Sequence, residues 1–311
     1  MIGFLTTVQQ ALLFSATVLF VGCVSWRVVV APGASASLVE GGAELEVTTR
    51  AVIRWARRAA FALIAAWALR FTVQIMAFRD PFAPLRDDLS LLLFQTMWGT
   101  VWMAQGVVVV GIAVVLSFGM RPASEGSASR AHVGAGWWML TLLTLALVTT
   151  LAMSGHAMGA ESWRTAAVAA DALHTLAAGS WIGTLAVILI GSSSIAGRVQ
   201  SPAVFGAQIQ RFSPLALVSG GILVAMGAGL SWTHLTVVSD LWTTGYGRIL
   251  SGKIAIVMVI LGLGFRNWRQ GVPVSDREEG VQVIRRRGAW EVGLAAGVIL
   301  LTAILVHSTK P

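Results

Sequence analysis

Long apolar runs separated by short polar stretches dominate the chain. Eight runs stand out, each long enough to cross most or all of the roughly 30 Å of hydrocarbon in a bilayer as an α-helix. They cover approximately residues 4–26, 59–78, 89–118, 136–155, 168–191, 212–235, 249–266 and 290–307. The pattern therefore predicts an all-α fold, a polytopic membrane helix bundle with about eight transmembrane helices. We expect one transmembrane domain over residues 1–311.

Composition excludes an ordinary soluble domain and narrows the possible chemistry. Hydrophobic residues make up 56% of the chain and charged residues only 12%. The net charge of +8 comes from basic residues clustered between the apolar runs, which is typical of loops and does not indicate nucleic-acid binding. A single cysteine, Cys23, rules out a disulfide framework and a thiolate metal cage. Any metal chemistry must therefore use histidine, methionine and carboxylate side chains.

The loops predict an orientation. The odd-numbered loops, counted with Arg266 at the end of the seventh run, hold 15 Lys and Arg residues, whereas the even-numbered loops and both termini together hold 5. Because basic loops stay in the cytoplasm, both termini are expected outside. Loop 1, residues 32–49, and loop 7, residues 271–288, are polar enough to be mobile.

Small residues recur at close-packing spacing in two of the runs. Gly179 and Gly183 flank Trp181, and a second group lies in the sixth run. Such spacing lets helix backbones approach each other, so we interpret these glycines as packing positions. The sixth-run group comprises Gly220, Gly221, Gly227 and Gly229.

The histidines lie unevenly with respect to the predicted membrane. His156, His234 and His307 end the fourth, sixth and eighth runs, and His174 lies about two turns into the fifth. All four are placed toward the outer face, and only His132 falls in a cytoplasmic loop. A histidine at a helix end also serves as an interfacial hydrogen-bonding group, so His234 and His307 keep that alternative reading.

Soft and acidic side chains accompany these histidines. Met153 and Met158 bracket His156, and thioether with imidazole suits copper. Asp171 and His174 are three positions apart on one helix face, where the carboxylate would either orient the imidazole or bind the metal itself. Two other methionines lie farther away in the sequence. They either pack against neighbouring helices or extend a path of thioether ligands toward the site. These are Met76 and Met97.

Two cations and one acid complete the set of polar residues in or beside the runs. Arg70 in the second run is expected to pair with Asp171 or another acid, in either a structural or a functional role. Lys253 is expected to extend to the outer interface. Glu291 follows Arg285–Arg287 and is interpreted as local charge compensation.

Together these segments resemble a known family. The stretch Ala170–Gly183, which reads ADALHTLAAGSWIG, and the preceding His156 are similar to the core signature of the bacterial copper resistance D (CopD) family. Gly245–Lys253, and the basic stretch that precedes Glu291, resemble its later motifs, so the resemblance lies in about residues 153–306. The sequence departs from the family pattern at Thr184 and in the order Arg266-Asn267.

The resemblance implies a multi-pass protein of the bacterial inner membrane, associated with copper uptake toward the cytoplasm and copper resistance. It also implies a periplasmic copper-carrier protein as a partner, and it implies no catalytic reaction. The predicted metal ligands are His156, His174, Met153, Met158, Asp171 and His234, with Met76, Met97, Arg70, Trp181 and His307 as second-layer or path residues.

Two other readings of the same residues stay open. Paired histidines on neighbouring helices also hold haem in electron-transfer bundles, although only His174 is clearly inside a helix. The third reading is a membrane copper chaperone or sensor that binds the ion without moving it.

Overall fold

The computed structural model describes residues 2–38, 41–120, 133–154, 163–193, 200–232 and 237–306. Regular structure in these ranges is helical, and the protein is an all-α membrane bundle. Eight helical spans are long and apolar enough to cross a membrane, so the predicted fold class and number of spans are confirmed. The spans are Gly3–Ser37, Gly42–Phe78, Met97–Gly119, Ala135–Met153, Arg164–Ser192, Pro202–Ser231, Gly245–Val274 and Glu278–Leu305.

The described part of the chain contains twelve α-helices, of which ten lie within these spans and two are short helices between spans. Several spans contain a π-helical turn, which inserts one extra residue into the helix. The turns used below are Trp26–Val30, Gly179–Gly183 and Asn267–Gly271. The α-helices are α1 Ile2–Ser25, α2 Ala31–Ser37, α3 Gly42–Phe78, α4 Leu85–Phe94, α5 Met97–Val114, α6 Ala135–Met153, α7 Arg164–Ala178, α8 Thr184–Ser192, α9 Pro202–Trp232, α10 Asp240–Thr243, α11 Gly245–Arg266 and α12 Glu278–Leu305.

The first loop is largely helical, contrary to the prediction of a mobile segment. A chain of buried hydrogen bonds explains the order. Trp26 donates from Nε1 to Gln208 at 2.9 Å, and Gln208 donates to Gln200 at 3.0 Å. Gln200 in turn donates to Thr48 at 3.0 Å, so the chain of hydrogen bonds joins the π-helical turn Trp26–Val30 to α9 and α3. The polar residues of this region are therefore used inside the bundle instead of facing water.

The seventh loop is also shorter than expected. A 3₁₀ turn at Val272–Val274 follows α11 and its π-helical turn, and α12 already begins at Glu278. In the third apolar run, by contrast, the helix breaks near Gln95. Thr96 caps the new helix α5 by accepting a hydrogen bond from the Gly99 amide at 3.0 Å. Apolarity alone did not reveal this break because Gln95 and Thr96 carry no charge.

Helix α1 runs through the core and packs against α3, α8 and α12. Its closest approach is to the π-helical turn of the fifth span, where Gly22 meets Gly183 backbone to backbone. A Cβ at Gly183 would overlap the carbonyl of Val18, and one at Gly179 would overlap Val21. The packing role predicted for Gly179 and Gly183 is confirmed.

The glycines of the sixth span behave differently from one another. Cβ atoms at Gly220 and Gly227 would touch Trp181 and His174, whereas Gly221 and Gly229 have nothing within 4 Å. Gly221 and Gly229 thus leave open space, and their predicted packing role is wrong.

Candidate functional site

A cavity of about 1060 Å³ lies among α7, α9, α11 and α12, with one wall from α1 and α3. We call it the histidine cavity because His174 lines it. Most of its wall is apolar, so the few polar groups that face it stand out. The charged or titratable lining residues discussed below are Arg70, Asp171, His174 and Lys253, and uncharged polar side chains are contributed by Gln10, Ser154, Thr175, Ser231, Tyr246 and Thr302.

His174 is held by the backbone of the neighbouring helix. Its Nδ1 lies 3.1 Å from the carbonyl oxygen of Leu223 on α9. Because a carbonyl only accepts, Nδ1 carries the proton and the neutral ring keeps its lone pair on Nε2. This tautomer is the one needed for metal binding through Nε2. The backbone of Leu223 thus makes the orienting contact that the sequence had suggested for Asp171.

The sequence of α7 explains why α9 approaches the ring so closely. Seven of its 15 residues, read from RTAAVAADALHTLAA, are alanines, and Gly227 of α9 lies opposite the ring. A Cβ at Gly227 would lie 3.1 Å from Cε1 of His174 and 3.4 Å from Nδ1. The glycine therefore provides the space that the imidazole occupies.

Charges are distributed around this cavity on three helices. Asp171 and Lys253 both line it and interact electrostatically, and the charge of Lys253 also acts on His174. Lys253 is half-buried and faces the cavity, so the expected extension to the interface does not describe its environment. A cation bound at His174 would be attracted by Asp171 and repelled by Lys253.

Arg70 enters the cavity from α3. It donates to the hydroxyl of Ser154 at 2.9 Å and to the side chain of Gln105 at 3.3 Å. The described hydrogen bonds of Arg70 thus go to neutral groups, where the sequence had suggested an acid. Trp67 and Trp102 fix the relative position of α3 and α5, because each indole donates to the other residue's carbonyl and the rings stack at 4.3 Å.

The methionines lie apart from the cavity. Met76 is 43% exposed and Met97 60% exposed, and neither lines the histidine cavity. Met153 is half-buried and is not a lining residue either, although the adjacent Ser154 is. Trp181, in contrast, is buried and lines the cavity at its end nearest α8.

Four of the predicted residues lie outside the described ranges: His156, Met158, His234 and His307. Within the described ranges, no group of three or more His, Cys, Asp or Glu side chains is placed to hold a metal ion. A complete metal site at His174 would therefore need further donors from the remaining residues.

A second cavity, of about 580 Å³, adjoins the other side of Trp181. We call it the glutamate cavity because Glu291 of α12 lines it together with Asn267. Glu291 is only 2% exposed and accepts a hydrogen bond from Nδ2 of Asn267. The interpretation of Glu291 as charge compensation for Arg285–Arg287 is wrong, because its carboxylate is buried within the bundle beside Asn267.

Sequence reasoning missed this cavity because the signal was a single carboxylate near the start of an apolar run. The neighbouring arginines also made charge compensation the simpler interpretation of this carboxylate. Arg285 donates to Ser193 and Arg287 to Gln270, each at 3.4 Å.

Comparison with known proteins adds an independent finding. Residues 206–305 match the family model of copper resistance protein D (CopD). The chain is 25% identical to the copper transport protein CutJ of Bacillus subtilis (strain 168), in an alignment covering 97% of this chain and 52% of that protein. It is 28% identical to copper resistance protein D of Pseudomonas syringae pv. tomato, over 70% of each chain. No solved structure matches.

Two facts define how far these matches extend. The chain spans about half the length of CutJ, and the family model covers most of α9 and all of α10, α11 and α12. Gly227, Lys253, Asn267 and Glu291 lie inside the matched range, whereas the Ala170–Gly183 stretch lies outside it. Both cavities therefore combine residues from inside and outside the matched range.

Proposed function

Because this chain belongs to the copper resistance D family, we propose that it moves copper ions across the bacterial cytoplasmic membrane toward the cytoplasm. The histidine cavity is the entry site, and the excess of basic residues in the odd-numbered loops supports an opening on the periplasmic side. In this reading copper is the transported substrate, and the protein contributes to copper resistance and homeostasis.

One observation carries the proposal. The histidine cavity is lined by residues that stand close in sequence to each of the other three outer histidines. Ser154 precedes His156 by two positions, and Ser231 precedes His234 by three. Val306, a further lining residue, directly precedes His307. Three separate spans therefore end at the cavity that His174 lines, and in the sequence a histidine follows each of these lining residues within three positions.

The donor types fit a soft cation that has lost its water. Imidazole and thioether groups bind copper, and thioethers favour Cu(I). We assign the ligands to His156, His174, Met153, Met158, Asp171 and His234. Asp171 supplies a negative charge, which offsets the free-energy cost of moving a cation from water into a cavity with apolar walls.

Other residues lie along or beside the path. Arg70 is held by Ser154, so it fixes the end of α6 from which the His156 segment continues. Trp181 closes the inner end of the cavity, and His307 directly follows the lining residue Val306 in the sequence. The exposed Met76 and Met97 fit earlier contacts with the ion, outside the cavity. A periplasmic copper-carrier protein would deliver the ion to this face.

Copper uptake into proteoliposomes tests the proposal. His174→Ala and His156→Ala should each lower the uptake rate at least tenfold, because each removes a proposed ligand. His132→Ala is the matched control, since it removes a histidine from a loop predicted on the opposite side of the membrane. Uptake by both ligand variants at the wild-type rate would rule out the histidine cavity as the entry site.

A further inference from the structure

The glutamate cavity contains an unusual combination of groups for a membrane interior. Its wall comes mainly from apolar side chains of α9, α11 and α12, together with Trp181 and Trp268. Into this wall project the carboxylate of Glu291 and the side-chain amide of Asn267. Buried ionisable groups in such surroundings are costly, and they mark functional sites more often than packing positions.

The carboxylate is only partly satisfied. Asn267 donates to Oε1 of Glu291, and no hydrogen bond to Oε2 is described. The one ion pair described is Arg50 with Glu46, far along the chain from Glu291. A buried carboxyl group with one hydrogen-bonded oxygen and no ion pair among the described residues has its other oxygen available to a bound cation, whose charge would favour the ionised form.

Asn267 presents a second oxygen. Its Oδ1 is buried and has no hydrogen-bond partner among the described residues. The residue lies at the start of the π-helical turn Asn267–Gly271, a feature frequent at functional sites. A buried amide oxygen and a buried carboxylate at one cavity provide two oxygen ligands of the kind that cations bind.

The position of Trp181 links this pair to the histidine cavity. Its indole ring lies on both cavities and packs toward Gly264 of α11, where Oε2 of Glu291 also approaches. Gly220 of α9 contacts the opposite part of the same ring. One side chain, set in the π-helical turn Gly179–Gly183, thus separates His174 from Glu291.

We propose that Glu291 and Asn267 form a second cation site, which receives the transported ion after it passes Trp181. This inference rests on the proposed function. Oxygen ligands hold Cu(I) more weakly than imidazole and thioether ligands do. The glutamate cavity is therefore a weak binding site. From it the ion leaves toward the cytoplasmic side, where the basic odd-numbered loops are expected.

Copper binding and transport by Glu291→Gln test the inference. Glutamine keeps the volume and accepts the hydrogen bond from Asn267, but it removes the charge. We expect equilibrium titration of the purified variant with copper to retain tight binding and to lose the weaker site. Uptake into proteoliposomes should fall at least tenfold. Asn267→Ala, as a second variant, should weaken the same site and slow uptake.

Glu46→Gln is the matched control because it removes an exposed carboxylate, 58% accessible, on the same protein. It should bind and transport copper as the wild type does. If the wild-type protein takes up copper and both Glu291→Gln and Asn267→Ala take it up at the same rate, this inference is overturned while the proposed function stands. A slow Glu291→Gln variant that keeps its full copper content and alters only the pH dependence of uptake would also overturn it, because Glu291 would then bind a proton. A wild-type protein that neither binds nor moves copper would instead refute the proposed function.

Discussion

Gly227→Ala offers a precise test of whether His174 binds the ion, because it disturbs the ring without removing any ligand. The new Cβ would lie 3.1 Å from Cε1 of His174, so the ring has to retreat by several tenths of an ångström. Retreat stretches the 3.1 Å contact between Nδ1 and the carbonyl of Leu223. Weakening that hydrogen bond costs about 1 kcal/mol, and disturbing the partner of a metal-bound histidine lowers affinity about 10-fold to 100-fold.

We therefore expect Gly227→Ala to weaken copper binding at least about tenfold while its thermal unfolding temperature changes little. Titration of purified protein with copper in detergent, beside a thermal melt, measures both quantities. Gly229→Ala is the control, since Gly229 lines the same cavity and has nothing within 4 Å. Equal affinities for Gly227→Ala and wild type, or an equal loss in Gly229→Ala, would show that the ring of His174 does not set copper affinity.

Three further predictions concern charge, packing and the haem alternative. Lys253→Gln should tighten copper binding and Asp171→Asn should weaken it, each by on the order of 1 to 2 kcal/mol. A binding titration in which Lys253→Gln weakens or Asp171→Asn tightens copper binding would contradict the electrostatic assignment. Gly183→Ala should destabilise the fold by roughly 1–3 kcal/mol or more because its Cβ overlaps Val18, whereas Gly252→Ala, in open space, should melt like the wild type. A visible absorption spectrum of the purified protein should lack a Soret band; its presence would favour the haem-bearing reading.

Hydrophobic run length was sufficient to predict the eight spans, because a bilayer requires long apolar helices wherever a chain crosses it. The same rule could not locate helix ends beyond the apolar part. Glu44 illustrates the difficulty: it is polar in sequence, yet it accepts hydrogen bonds from the amide and hydroxyl of Ser201 at 2.8 Å and lies within α3. Partners distant in sequence, which no local pattern contains, decide whether such a segment is helix or loop.

The candidate site was predictable in part for a related reason. His174 and Asp171 could be identified because a polar pair in an apolar helix needs a partner or a function. The carbonyl of Leu223 could not be identified as the partner of His174, because every residue has a backbone carbonyl and the sequence does not show which one a side chain contacts. Lys253 and Glu291 were misread because depth along a helix does not reveal which face a side chain occupies.

The glycines allow close backbone contact at some places in the bundle and leave open space at others. Around Gly22 and Gly183 the backbones of the first and fifth spans touch, and neither can slide without collision. Along the sixth, seventh and eighth spans, in contrast, glycines such as Gly229, Gly262 and Gly293 face empty space. Because Gly220 and Gly264 pack against Trp181, passage of an ion would require the sixth and seventh spans to move relative to the first and fifth. Crosslinks between the first and fifth spans should therefore leave passage intact, whereas crosslinks between the sixth and seventh should arrest it.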